Sequence, residues 1–148
     1  MPVQHEMLGI AFQYPDNWTL EEQNNLPENV MATVSSPTGG FWAVGVYPSA
    51  TEAADVAQSV VKSMQEEYEG LEAAEHHSTM GGHPVSGFDM DFIYLDMVNE
   101  AQVRAFTHGG NTLMIYCQAE SRELATVGPV FHAMTASLVR SVFGKSQS

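Results

Sequence analysis

Residues 85–95 read Val-Ser-Gly-Phe-Asp-Met-Asp-Phe-Ile-Tyr-Leu, and this stretch decides the fold class. A large apolar side chain stands at every second position between Phe88 and Tyr94, with the carboxylates Asp89 and Asp91 between them. Because successive side chains of a β-strand point to opposite faces, this alternation predicts a strand with one apolar and one polar face. Such a strand needs a second layer that covers its apolar face.

Three further segments around this strand have a strand-like composition, at residues 71–79, 100–107 and 112–119. The first of them is weak and polar. Short stretches of Gly, Pro, Asp and Asn separate the strands and are typical of turns, including the turn predicted at residues 96–99. Strands that follow one another through short turns pair antiparallel, so we predict an antiparallel meander over residues 71–119.

Two segments carry the three- and four-residue apolar spacing of amphipathic helices. The first covers residues 51–68, with Ser49 or Thr51 as its N-cap. The second covers residues 129–140, because the proline at its start suits the first position of a helix. Residues 121–128 are interpreted as an extra turn that is broken before this proline.

The N-terminal third of the chain predicts three strands and one loop. Residues 10–14 alternate as a strand, and residues 20–29 are polar and are interpreted as a loop. Residues 30–35 and 41–47 are rich in β-forming side chains and flank a Pro-Thr-Gly-Gly turn, which predicts a hairpin.

This order of elements predicts one α+β domain over residues 1–148. Its centre is an antiparallel β-sheet of about six or seven strands, and helices pack on the sheet because each amphipathic helix needs an apolar face to cover. A chain of 148 residues is close to the commonest domain size. Residues 143–148 are expected to fray, since chain ends are poorly ordered unless something holds them.

Three motifs resemble the PsbP/Mog-like fold family. Residues 9–18 form a short strand that ends in an aromatic-Pro turn followed by Trp18, and residues 80–85 form a small-residue turn before a long hairpin. The apolar stripe of the last helix is similar as well; it consists of Phe131, Met134, Ser137 and Leu138. The resemblance covers nearly the whole chain and implies an α-β-α sandwich of the uncharacterised bacterial branch.

The resemblance also implies a class of function. Members of this family mostly bind or assist other proteins; they include extrinsic subunits of the oxygen-evolving photosystem and a nuclear-import factor that binds the Ran GTPase. The sequence carries no motif of the photosystem or Ran branch. We therefore expect a non-catalytic binding or accessory module that interacts with another protein, without a cofactor.

The charge of the chain limits its partners. It has 18 acidic and 5 basic residues and a net charge of −13, which argues against nucleic acids and anionic membranes as ligands. A basic protein is an allowed partner. No apolar run approaches the roughly 20 residues of a membrane span, and residues 1–6 lack the pattern of a signal peptide, so a cytoplasmic location is expected.

Acidic residues near the end of the first helix are candidates for partner binding. Glu66, Glu67 and Glu69 lie where the helix dipole disfavours anions. One hypothesis is a docking surface for a basic partner, and the alternative is general solubility. Either Phe41 or Trp42 is expected at the surface where its strand begins, and Trp42 is the second candidate for partner binding.

The histidines are candidates for metal binding. His76, His77 and His83 are close in sequence, and imidazole groups bind zinc and similar metals. On a strand, however, His76 and His77 point to opposite faces. The alternative is a set of exposed histidines on a polar edge strand.

An enzyme is the alternative to a binding module. It would use the three histidines or the Asp89 and Asp91 face, and Arg104 on the next strand could pair with one of these aspartates. Cys117, the only cysteine, alternates with apolar residues and is expected to be inert, so no catalytic residue is predicted. An enzyme should show a concave pocket where the polar groups converge, and a binding module an exposed apolar or acidic patch. A homodimer through a sheet edge or face is a third possibility.

Overall fold

The computed structural model describes residues 2–26, 29–47 and 51–144. The elements in chain order are β1 (Pro2–Met7), β2 (Ile10–Pro15), β3 (Thr19–Leu26), β4 (Asn29–Ser35), β5 (Phe41–Tyr47), α1 (Ala53–Glu67), β6 (Glu72–Met80), β7 (His83–Tyr94), β8 (Met97–His108), β9 (Asn111–Glu120) and α2 (Leu124–Phe143). The centre is a seven-stranded antiparallel sheet with the strand order β3-β4-β5-β9-β8-β7-β6, and one helix packs on each face. The predicted α+β sandwich and the meander of the last four strands are confirmed.

Two N-terminal strands were missed by the sequence patterns. β1 pairs with β2 in a separate two-stranded ribbon, and β3 replaces the loop predicted for residues 20–29. Both strands are polar because each lies at an edge, where pairing satisfies one side of the backbone and most side chains remain in water. Strands of this kind form without the apolar alternation that identifies half-buried strands.

The ribbon and α2 cover one face of the sheet. Phe12 of the ribbon packs against the ring of Trp42 in β5, with 4.9 Å between the ring centroids. The backbone N–H groups of Ala11 and Gln13 donate to the hydroxyls of Ser141 and Ser137, both at 2.9 Å. These bonds tie the edge of the ribbon to α2 and fix the line along which the helix crosses the sheet.

Helix α2 starts earlier and ends later than predicted. It begins at Leu124, directly after a 3₁₀ turn at Ser121–Glu123, and it continues through Pro129. Gly128 has no Cβ, so the part of proline's steric clash that involves the Cβ of the preceding residue is absent here. Val127 and Phe131 are buried on the same side of the helix before and after the proline, so core packing holds both parts in one helix.

The end of α2 corrects the predicted frayed tail. Phe143 is the last residue of the helix and is buried, and its ring stacks on His83 with 4.5 Å between centroids. Phe106 of β8 also contacts this ring, at 5.5 Å. Phe143, which was predicted to belong to a frayed tail at residues 143–148, is therefore held in the core, and residues 145–148 lie outside the described residues.

Helix α1 covers the other face of the sheet. Its buried residues Val56, Ala57 and Val61 pack against the apolar face of β7, β8 and β9. Met90 of β7 is buried there, as the alternation predicted. Glu52 is the N-cap rather than Thr51 and makes no capping hydrogen bond, while the other predicted cap, at position 49, lies outside the described residues.

The turn between β7 and β8 is tighter than predicted. It contains only Leu95 and Asp96, so the turn predicted at residues 96–99 is wrong, and β8 already begins at Met97. Both turn residues have left-handed backbones, with φ of 52° and 63°. A two-residue turn with two positive φ angles matches the twist of the paired strands, although Asn-Gly is the usual sequence for it.

Candidate binding surfaces

The end of the β7–β8 hairpin extends past its neighbouring strands. The outer neighbour of β7, strand β6, begins opposite Asp91, and the outer neighbour of β8, strand β9, ends opposite Asn99. In residues 93–98 the two strands of the hairpin therefore pair only with each other. We call residues 93–98 the hairpin tip. Its exposed apolar side chains are Ile93, Tyr94, Leu95, Met97 and Val98. Leu95 is the most exposed of them, at 71%.

The backbone of the hairpin tip is strained at its most exposed apolar residue. A left-handed conformation is uncommon for residues other than glycine, asparagine and aspartate, and it costs on the order of 1 kcal/mol or more. Leu95 adopts this conformation with its side chain in water, so neither the backbone nor burial favours leucine there. Strained residues cluster at functional sites, which makes the hairpin tip a candidate for one.

The acidic end of α1 lies beside the hairpin tip. Tyr68 follows the helix, and its ring contacts Phe92 at 4.3 Å and Tyr94 at 5.8 Å between centroids. The pKa of Tyr68 is raised, mainly by burial of its side chain and to a smaller extent by the negative charge of Glu67. Glu66, Glu67 and Glu69 are all exposed. The three candidate glutamates therefore lie next to an apolar surface that was not predicted from the sequence.

A cleft of about 890 Å³ lies on the opposite face of the sheet, between α2 and the polar side of β6–β8. It exists because α2 and the ribbon pack over the half of the sheet that contains β4, β5 and β9 and leave the other half open. The floor of the cleft includes the side chains of His76, Asp89, Asp91, Glu100, Arg104 and Cys117. Helix α2 contributes Leu124, Phe131, His132, Val139 and Arg140.

An ion pair forms the centre of the cleft floor. The Nη2 atom of Arg104 donates to Oδ1 of Asp89 at 2.7 Å, and Nη1 donates to the carbonyl oxygens of Phe88 and Val103 at 3.1 and 3.0 Å. The side chain of Arg104 is only 12% exposed. His76 approaches the other oxygen of Asp89, with Nδ1 at 3.8 Å. The predicted pairing of Arg104 with an aspartate across the hairpin is confirmed.

Gly87 makes room for this ion pair. It lies opposite both His76 and Arg104 in the sheet, in the strand between them. A Cβ atom at this position would overlap the carbonyl oxygen of Val103 and would lie 2.9 Å from Cδ of Arg104. The absence of a side chain therefore lets the Arg104 side chain lie across β7 and reach Asp89.

Cys117 lines the cleft as a protonated thiol. Burial raises its pKa to about 11, and the guanidinium of Arg104 only partly opposes this shift. A thiol with this pKa is a poor nucleophile at neutral pH. None of the hydrogen bonds among the described residues joins a serine, threonine or cysteine to a histidine. The cleft thus brings polar groups together without a pair of nucleophile and base.

The structure separates the three candidate histidines. His76 faces the cleft, His77 bonds Glu75 at 3.0 Å on the other face of β6, and His83 stacks on Phe143 at the end of α2. Within residues 2–26, 29–47 and 51–144, no three His, Cys, Asp or Glu side chains are placed to hold a metal ion. A metal site at these histidines stays a prediction.

Trp42 is a core residue rather than a surface anchor. Its side chain is 0% exposed, and Nε1 donates to Oγ1 of Thr135 in α2 at 2.9 Å. The strand that carries it is covered on both faces, and Phe41, its half-buried neighbour, stacks on Tyr116 at 5.6 Å. The candidate for partner binding at Trp42 is therefore replaced by the hairpin tip.

Comparison with known proteins identifies the fold. No family model and no curated protein matches the chain. The solution structure of cyanobacterial PsbP from Synechocystis sp. PCC 6803 is similar, with a TM-score of 0.67, 14% identity, and coverage of 92% of this chain and 90% of that one. The chain therefore has a PsbP-like fold.

Two further solved structures resemble the chain more weakly. PA94 of Pseudomonas aeruginosa, a protein of unknown function, has a TM-score of 0.52 at 12% identity and covers 93% of this chain and 95% of its own. LpqN of Mycobacterium tuberculosis, involved in cell envelope biogenesis, has a TM-score of 0.50 at 15% identity, with 90% and 86% covered. In the part of the chain that the structure describes, neither helix combines the length and hydropathy needed to cross a bilayer.

Proposed function

We propose that the protein is a non-catalytic binding module that docks on a protein partner through the hairpin tip and the acidic end of α1. The observation that carries this proposal is the set of five apolar side chains exposed at residues 93–98. These side chains lie on the two faces and at the end of one hairpin, and exposed apolar surface of this kind commonly marks interaction sites. We call the hairpin tip together with Glu66, Glu67 and Glu69 the docking surface.

The side chains of the docking surface indicate what kind of surface the partner must present. The apolar tip fits a groove lined by apolar side chains, and the three glutamates beside it favour basic residues on the rim of that groove. The tip is held by a continuous antiparallel pair of strands, so little conformational entropy is lost when it binds. The net charge of −13 increases the rate at which a basic partner is encountered.

LpqN, a protein with a similar fold, is involved in cell envelope biogenesis, and a role of that kind is compatible with an accessory module. We also propose that the chain belongs to the uncharacterised bacterial branch of the PsbP/Mog-like family, whose motifs its own three motifs resemble, and that it acts in the cytoplasm as a monomer or homodimer. Catalysis in the cleft is less well supported, because Cys117 keeps its proton and Asp89 is bound to Arg104.

Capture of the partner from a lysate of the native organism tests this proposal. The immobilised wild-type protein is compared with two variants, Leu95→Asp and the triple change of Glu66, Glu67 and Glu69 to lysine. Both variants should lose the proteins that the wild type retains, as identified by mass spectrometry. The affinity of the purified partner should then fall with added salt, because a charge-assisted contact is screened.

A matched control changes the same amount of charge elsewhere. The substitutions Glu6→Lys, Glu21→Lys and Asp55→Lys alter three exposed carboxylates outside the docking surface. This control should retain the partner. If it loses the partner as completely as the Glu66, Glu67 and Glu69 variant does, or if Leu95→Asp retains the partner in full, the docking surface is wrong. Gel filtration with light scattering decides whether the retained protein is a second copy of the chain.

A further inference from the structure

We propose that the cleft between α2 and β6–β8 binds a small organic cation, with its apolar body under α2 and its charged head at the carboxylates of the floor. This inference goes beyond the docking surface and does not depend on it, because the cleft and the α1 end of the docking surface lie on opposite faces of the sheet. The volume of about 890 Å³ is within the range of sites for small molecules.

The polarity of the cleft changes from its covered side to its open side. Under α2, the walls are the apolar side chains of Ile115, Leu124, Phe131 and Val139. On the open side, over β7 and β8, the floor carries Asp91 and Glu100, which are exposed. An amphipathic ligand matches this arrangement, since an apolar body gains from burial while its head remains near charge and water.

The charges of the floor select a cation. Asp91 and Glu100 stand directly opposite each other on neighbouring strands, and like charges in this position destabilise a sheet. None of the ion pairs among the described residues involves either of them. A bound cation would relieve their repulsion.

An anion is a poorer fit to the same cleft. The positive groups that line it are Arg104 and Arg140, with His76 and His132 as titratable neighbours. Arg104 is already bonded to Asp89 and to two carbonyl oxygens, so its charge is neutralised within the protein. A carboxylate or phosphate would meet Arg140 at the rim and then the carboxylates Asp91 and Glu100 on the floor.

The spacing of the strands sets the size of the probe. Glu100 lies opposite Ala119 of β9, and Cys117 is two residues away from Ala119 on the same strand. One strand spacing and two residues along the strand separate Glu100 from Cys117 by about 8 Å, a distance that a six-carbon chain with an ammonium head can span. Hexylammonium is therefore the probe, and hexanoate and hexanol are matched controls with the same apolar body and a different head.

Binding is measured by calorimetry, and its position by the rate at which N-ethylmaleimide modifies Cys117, the only cysteine of the chain. Hexylammonium should bind and slow this modification, while hexanoate and hexanol should bind at least about tenfold more weakly, since the head group alone distinguishes them. Ala136→Trp, which fills the cleft from α2, should abolish binding and protection together.

Two variants with equal charge changes locate the head group. Asp91→Asn should weaken hexylammonium binding about tenfold because it removes a carboxylate from the floor. Asp55→Asn, in α1 on the other face of the sheet, should leave it unchanged. Equal binding of hexanoate and hexylammonium, equal effects of Asp91→Asn and Asp55→Asn, or binding without protection of Cys117 would each overturn the proposal.

Discussion

Replacement of Gly87 by alanine tests whether the Arg104 ion pair depends on a missing side chain. The added Cβ would overlap the Val103 carbonyl oxygen, which belongs to the neighbouring strand and cannot rotate away. It would also lie 2.9 Å from Cδ and 3.0 Å from Nη1 of Arg104, so the guanidinium must leave its position. Gly87→Ala is therefore expected to push β7 and β8 apart at this position and to break the ion pair between Arg104 and Asp89.

The size of the effect follows from these two parts. Overpacking in a well-packed interior costs about 1–3 kcal/mol. Each hydrogen bond to a charged group contributes about 1.5–3 kcal/mol, and part of this is recovered when Arg104 reaches water. We expect the free energy of unfolding to fall by about 3–5 kcal/mol in total, which for a chain of this length corresponds to a Tm about 10 °C lower.

Urea and thermal unfolding measure this change, with the fluorescence of the buried Trp18 and Trp42 as the signal. Gly45→Ala is the matched control, since Gly45 is also a buried glycine within the sheet. A Cβ there would meet its nearest atoms at 3.5 Å, an ordinary contact, so this variant should stay within about 1 kcal/mol of the wild type. If the two variants are equally stable, the role assigned to Gly87 is wrong.

Three further predictions concern other parts of the molecule. The change of Leu95 and Asp96 to Asn-Gly should raise the free energy of unfolding by about 1 kcal/mol in urea titrations, because it suits the left-handed turn, and it should weaken partner capture; a less stable variant would contradict the strain at Leu95. Trp42→Phe should cost about 2 kcal/mol through the lost hydrogen bond to Thr135 and a smaller ring, and Thr135→Val should cost about 1–3 kcal/mol because it leaves the buried indole N–H without its acceptor. Burial raises the pKa of Cys117 to about 11, so its alkylation rate should keep rising with pH up to about 11. The unfolded thiol loses its proton near pH 9 and the folded thiol does not, so the free energy of unfolding should fall between pH 9 and 11.

The sequence predicted the elements that bury an apolar face. The alternation in β7 and the helical spacing of α1 were both correct, because each pattern records which side chains leave water. β1 and β3 were missed because they lie at edges and are held by backbone pairing, which leaves little pattern in the side chains. The early start of α2 was missed because packing on both sides of Pro129 outweighs the tendency of proline to end a helix.

The candidate sites were predictable only where they are local. The pairing of Arg104 with Asp89 follows from two adjacent strands and was predicted. The cleft depends on which half of the sheet α2 covers, a tertiary property that no local pattern records. The burial of Trp42 has the same origin, since its strand lies at the centre of the sheet. The hairpin tip had a local signal, the apolar residues that flank the turn at Leu95 and Asp96, which was interpreted as ordinary strand composition.

The polar strand β6, at one end of the seven-stranded sheet, has a consequence for the behaviour of the protein at high concentration. Its outer backbone groups could template a strand of another molecule, and fibres would grow from such an addition. The charged and polar side chains of Glu72, Glu75 and the two histidines along it oppose this growth. Near pH 4.5 the whole chain approaches zero net charge and its self-repulsion is weakest, so precipitates with a cross-β spacing should form there.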